Sequence, residues 1–182
     1  MGKRIRPTVQ QTTVKMARPG RLNKSDPRVD NLSFDIRDGN NENVKNILSE
    51  VGIDALDGYK RTSLIWTSFY NNTLLLKWLI DSGANINHQD RNGYSALHFA
   101  AKEQHFDTLE ILINFKADLE LKDSNGNTPL MDAIFNSNGE YRIVALFIES
   151  GANLDNINNH EMTPRLLAES MAGFDFNLPT TK

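Results

Sequence analysis

The sequence predicts an all-α fold: a stack of helix–turn–helix units joined by β-turns. Three observations carry that prediction. A unit of similar composition recurs, as "DGYKRTSLIWTSFYNNTLLLKWLIDSGANINHQ" from Asp57, "DRNGYSALHFAAKEQHFDTLEILINFKADLELK" from Asp90 and "DSNGNTPLMDAIFNSNGEYRIVALFIESGANLDNI" from Asp123. The hydroxyl residues Thr62, Ser95 and Thr128 stand 33 residues apart, and Thr163 follows after 35. Between them lie apolar residues at helical spacing. A fixed period settles the architecture before any local reading, because stacked copies of one unit form a quasi-one-dimensional array.

Within the unit each element has a local cause. The opening is a turn: Gly93 and Gly126 follow an aspartate by three residues, and glycine there supplies a positive φ without side-chain strain. Thr62, Ser95 and Thr128 then stand where a hydroxyl caps a helix, and Pro129 and Pro164 take the first helical position, where a missing N–H costs nothing. The first helix is short and small-faced ("ALHFAAKE", "PLMDAIFN"), and Ala96, Ala100, Ala101 and Ala133 let neighbouring backbones approach. The second helix carries Leu74, Leu75, Trp78 and Leu79 in the first unit, Leu109, Leu112 and Ile113 in the second, and Ile143, Val144, Leu146 and Phe147 in the third. Gly83 and Gly151 end it, and Lys116 at the equivalent place should cost a little stability. "GAN" at 83, "KAD" at 116 and "GAN" at 151 repeat the spacing of 33 and then 35, which puts a two-residue insertion within "NSNGE".

The domain organisation follows. Residues 1–30 read as a basic N-terminal arm, extended or flexible. Residues 32–56 read as a helix pair without a preceding turn, with Val44, Ile47 and Leu48 on one apolar face, and so as a capping unit. Full repeats are expected over 57–89, 90–122 and 123–157, and a C-terminal cap with a single helix over 158–172, which brings the repeat domain to 31–172. Arg165 replaces the leucine of Leu64, Leu97 and Leu130, as suits an outer face that meets water. Residues 173–182 are a tail.

Composition narrows the function classes. With 182 residues the chain can bury a core without disulfides or a structural metal, and the absence of cysteine excludes thiol catalysis and thiolate metal sites. No apolar run reaches membrane-spanning length, and the N-terminus is basic without the apolar core of a secretory signal, so the expected location is cytoplasmic. Net charge is −3, but residues 1–30 contribute +6, from eight basic side chains against Asp26 and Asp30, and the remainder totals −9. An acidic body suggests a basic partner, and a basic arm suggests an anionic one.

The period of 33, the turn, the hydroxyl-led helix and the glycine-alanine-asparagine end together resemble the ankyrin repeat. "GYSALHFAA" with "DTLEILINFKADLELKD", "GNTPLMDAI" with "ESGANLDNINN", and "TSLIWTS" with "IDSGANIN" carry the resemblance, which covers about residues 32 to 172. It departs from the pattern at Lys60 for the turn glycine, at Ile65 and Met131 for the histidine, and at Thr67 and Ser68 for the alanine pair. It implies an ankyrin-repeat solenoid whose turn tips and first helices form a concave surface, and a non-enzymatic protein–protein interaction module acting there as an adaptor or inhibitor.

His98, one turn inside its helix, is expected to bond the backbone of adjacent turns rather than to act in catalysis, and His88, His105 and His160 share no ligand spacing. No phosphate loop, nucleophile turn or carboxylate pair is present, so no catalytic residue, cofactor or metal is expected. Residues that neither cap, turn nor pack are the candidates for partner binding. At the turn tips these are Tyr59, Arg61, Arg91, Tyr94 and Asn127, with Ser124 beside them; on the first helices they are Trp66, Phe69, Tyr70, Phe99, Lys102, Glu103, Asp132 and Phe135. Exposed aromatics beside arginine dominate interface energetics. The expected partner is another protein, basic to match the acidic body, and one concrete form is an immunity (antitoxin-like) protein covering a basic toxin; the chain is expected to be monomeric. The alternative is a nucleic-acid-associated protein using the arm, against which stand the lack of interleaved aromatics and the charge of the body.

Overall fold

The computed structural model describes residues 26–171. The arm over 1–25 and the tail over 173–182 lie outside the described residues. Nine helices follow one another among the described residues: α1 Pro27–Arg37, α2 Asn41–Val51, α3 Ser63–Phe69, α4 Thr73–Asp81, α5 Ala96–Lys102, α6 Phe106–Asn114, α7 Pro129–Phe135, α8 Arg142–Glu149 and α9 Pro164–Ser170. The first helices touch in the row α1, α3, α5, α7, α9, and the second helices α4, α6 and α8 form a row behind them. All are short for free helices, so their stability comes from this packing.

The turns stack as regularly as the helices. In each, an aspartate or asparagine accepts two backbone N–H groups on one side-chain oxygen: Asp57 from Tyr59 and Arg61, Asp90 from Asn92 and Tyr94, Asp123 from Asn125 and Asn127, and Asn158 from His160 and Met162, all at 2.8–3.0 Å. Each turn also donates to the one before it, from Arg91 N to Tyr59 O, Ser124 N to Asn92 O and Asn159 N to Asn125 O. Glycine is required where these turns press together: a Cβ on Gly93 would stand 2.9 Å from Asp123 Cα, and one on Gly126 2.9 Å from Asn159 N. Lys60 keeps the same left-handed backbone at φ 61, so the first turn forms without its glycine.

Caps and core follow the same rule of period. Thr62 accepts from Ile65 N, Thr163 from Leu166 N, and Ser95 with His98 closes a reciprocal capping box. The hydroxyl of Thr128 has no partner among the described residues, a departure from the expected cap, because the Met131 N–H donates to the Thr128 carbonyl at 2.9 Å instead. In place of the alanine pair, Thr67 and Ser68 both donate to Leu64 O, which is how two hydroxyls are buried at that crowded contact. Ala100, Ala101 and Ala133 are fully buried between first helices. Each second helix ends in a paired closure, with Ala84 N to Leu79 O, Ala117 N to Leu112 O and Ala152 N to Phe147 O, across Gly83, Lys116 and Gly151 at positive φ.

Two expectations are corrected. The arm does not run to residue 30, because α1 starts at Pro27: Asp26 caps it, and Val29, Leu32 and Ile36 form a buried stripe that only a helix starting there brings into register. Arg28 thereby becomes a helical residue paired with Asp26 at 2.9 Å and Glu50 at 2.6 Å. Leu74 is 77% exposed rather than packed, because the apolar stripe of α4 runs through Leu75, Leu76 and Leu79.

Candidate functional site

The aspartates that shape the turns also hold the face beside them. One oxygen of Asp57 is used on its own turn; the other accepts the indole N–H of Trp66 at 3.0 Å. Asp90 likewise uses its second oxygen on Arg61 Nε at 3.2 Å, across the repeat boundary. The carboxylate of Asp90 is 1% exposed and the Arg61 side chain 21%, so this ion pair is buried, and its integrity depends on both turns being stacked. These anchors are legible in the sequence only as an aspartate recurring every 33 residues.

On that base the structure assembles most of the predicted residues into one cluster. The guanidinium of Arg61 lies over the rings of Trp66 at 4.7 Å, Tyr59 at 5.2 Å and Phe99 at 5.4 Å. Trp66 stacks on Tyr70 and meets Phe69 edge-on, and Phe69 meets Phe99 and Tyr70 edge-on with the nearer pair 4.9 Å apart. Tyr94 joins through Phe99 at 5.4 Å, and Lys102 lies over Tyr94 at 5.5 Å. Alternating cations and rings of this kind hold each other by quadrupole attraction, about 0.5–1 kcal/mol per exposed contact and more where water is excluded.

The remaining candidates divide. Tyr59 is 62% exposed and Phe135 is 70% exposed, although no ring contact joins Phe135 to the cluster. Arg91 is exposed and donates to Gly58 O at 2.7 Å, which lays it against the first turn, and Glu103 is exposed at the end of α5. Phe99 and Asp132 are buried and lie beneath the face rather than on it. Asn127 is half-buried in the scaffold: its carbonyl faces His98 Nε2 and its amide oxygen accepts from Asn158.

Two buried groups set the electrostatics beneath. His98 is fully buried with Nδ1 at Ser95 and Nε2 at the Asn127 carbonyl, joining two repeats, and burial brings its pKa down to about 4, so it is neutral at pH 7. The carboxyl of Asp132 is pushed up to about 7 by burial first and by Asp123 second, with Lys102 opposing, and its Oδ2 has no hydrogen-bond partner among the described residues. Tyr94 is raised to about 12 by burial, then by Asp132 and Asp123. Among the described residues no group of three or more His, Asp or Glu could hold a metal ion, and no helix is long and apolar enough to cross a membrane.

Known proteins share this organisation. A family model for three copies of the ankyrin repeat matches residues 32–123 and 64–158. The chain is 34% identical over 97 residues to mouse "Ankyrin repeat domain-containing protein 63", 31% over 136 residues to "E3 ubiquitin-protein ligase Ufd4" of Drosophila melanogaster, and 44% over 63 residues to "Serine/threonine-protein kinase 12" of Arabidopsis thaliana. These matches cover 52%, 73% and 35% of this chain, but only 25%, 5% and 14% of those relatives. Two of the relatives are enzymes by name, and this chain matches only a small part of each. A match across most of the described helices, on a stack whose turns and caps repeat at the same period, identifies the chain as a member of the ankyrin-repeat family, a protein–protein interaction module.

Proposed function

We propose that the chain acts as a non-enzymatic adaptor or inhibitor, occupying another protein's surface with the face built from its turns and first helices. The observation that carries this is the connected cluster of Tyr59, Arg61, Trp66, Phe69, Tyr70, Phe99, Tyr94 and Lys102. Aromatics and arginine are the residues in which interface energy concentrates, and here they are locked by their neighbours, so association costs little side-chain entropy. The −9 net charge of residues 31–182 supports a second, narrower form, an immunity protein covering a basic toxin in the cytoplasm.

The test is capture of the native partner by the full chain and by Tyr59→Glu, which changes an exposed tip without touching the core. The expected result is loss of the partner with unchanged helical circular dichroism. Recovery of the same partner by both proteins overturns the assignment of the face. Phe135→Glu, read in parallel, reports whether the contact extends to the third repeat.

A further inference from the structure

Between residues 57 and 103 the charge on this face runs opposite to the −9 net charge of residues 31–182. From residue 57 to 103, the turn tips and first helices expose Lys60, Arg91 and Lys102, against a single exposed carboxylate, Glu103. None of the three cations closes an ion pair among the described residues. Arg61, at the centre, donates to Asp90 through Nε alone, so its two terminal nitrogens have no acceptor among the described residues. In the row behind, α4, α6 and α8 expose Asp81, Asp107, Glu110 and Glu149 against Lys77 and Arg142, while outside this stretch the first helices α1 and α9 themselves expose Asp30 and Glu169.

Resting on the reading of this face as the protein-binding surface, we propose that its ligand is an acidic peptide segment carrying apolar side chains. The carboxylates of the segment take the open side of the Arg61 fork and meet Lys60, Arg91 and Lys102, while its apolar groups lie across Tyr59, Phe69 and Tyr70. A guanidinium held in place by rings and by Asp90 loses little freedom on gaining a carboxylate, and a half-buried site strengthens the bond. Carboxylates on the second helices repel the same segment, so it is directed to this one face. A nucleic acid would also satisfy the cations, but a single strand needs open ring faces for its bases. Here Arg61 lies over Trp66 and the buried Phe99, Lys102 lies over Tyr94, and Trp66 and Tyr70 stack on each other, which leaves Tyr59 as the most exposed ring of the cluster, where a strand stacks successive bases on several.

Arg61 itself is a poor test residue, because truncating it strands the buried Asp90 carboxylate. Lys60→Glu with Lys102→Glu leaves that buried pair in place and reverses two exposed charges, with loss of the Lys102 contact to Tyr94. The full chain is titrated with a fluorescent peptide alternating glutamate with leucine and phenylalanine, with the same peptide carrying lysine for glutamate, and with a single-stranded oligonucleotide. The acidic peptide should bind in a salt-sensitive manner, and the double variant should lose about tenfold or more in affinity with unchanged circular dichroism. Equal affinity of wild type and double variant for the acidic peptide overturns the proposal, as does displacement of that peptide by the oligonucleotide. Tighter binding of the lysine peptide also overturns it; if that binding is lost in Tyr59→Glu, the face remains the protein-binding surface and only its acidic preference fails.

Discussion

His98 and Asp132 impose opposite pH dependences on stability, and removing one exposes the other. Burial brings the imidazole of His98 from its ordinary 6.5 to about 4. The unfolded chain therefore takes up a proton that the fold refuses, and the stability present above pH 6.5 is lost as pH falls toward 4. At about 1.4 kcal/mol per pH unit, the full loss is about 3 kcal/mol. Asp132 runs the other way, because its folded value is raised from 3.8 to about 7. Its contribution is fully present below pH 3.8 and is lost as pH rises through about 7, a change of about 4 kcal/mol on the same conversion. Together the pair changes wild-type stability by only about 1 kcal/mol across that window. Asp132→Asn removes one arm of this balance. Its stability should rise by about 3 kcal/mol from pH 4 to pH 7, where the wild type stays nearly flat, and it should lose none of that gain above pH 7. Urea unfolding followed by circular dichroism at each pH measures this directly. Identical pH profiles for the two proteins would refute the assignment of a buried, ionisation-resisting carboxyl to Asp132.

Two further outcomes follow from backbone geometry. Gly126→Ala and Gly93→Ala should each destabilise by more than about 3 kcal/mol, because left-handed strain adds to overlap with the next turn, whereas Gly83→Ala, with open space around it, should cost only the strain of roughly 1–2 kcal/mol; thermal unfolding of the three variants gives the order. Lys116→Gly relieves a left-handed lysine at φ 64 and should stabilise by up to about 1 kcal/mol in urea unfolding, with no change expected in partner binding.

Much of the fold was legible in the sequence because a repeat reports itself several times. Thr62, Ser95 and Thr163 cap helices as their period foretold, and Lys116 takes the left-handed position its alignment with Gly83 and Gly151 assigned. What a linear pattern misses is which side of a short helix meets its neighbour. Leu74 fits an apolar spacing and still faces solvent, and Pro27, Arg28 and Val29 carry no repeat signal yet begin α1.

The sequence by itself determined the architecture, because spacing is a one-dimensional property and a stack is a one-dimensional object. It also picked out the residue types of the candidate site. Only the tertiary structure decided how those residues stand to one another: that Asp90 of one repeat holds Arg61 of the repeat before it, that Arg61 lies over three rings, and that Phe99 and Asp132 lie under the face while Tyr59 stands on it. The charge reversal between that face and the second helices was hidden for the same reason, since a net charge sums over all directions and a partner meets only one.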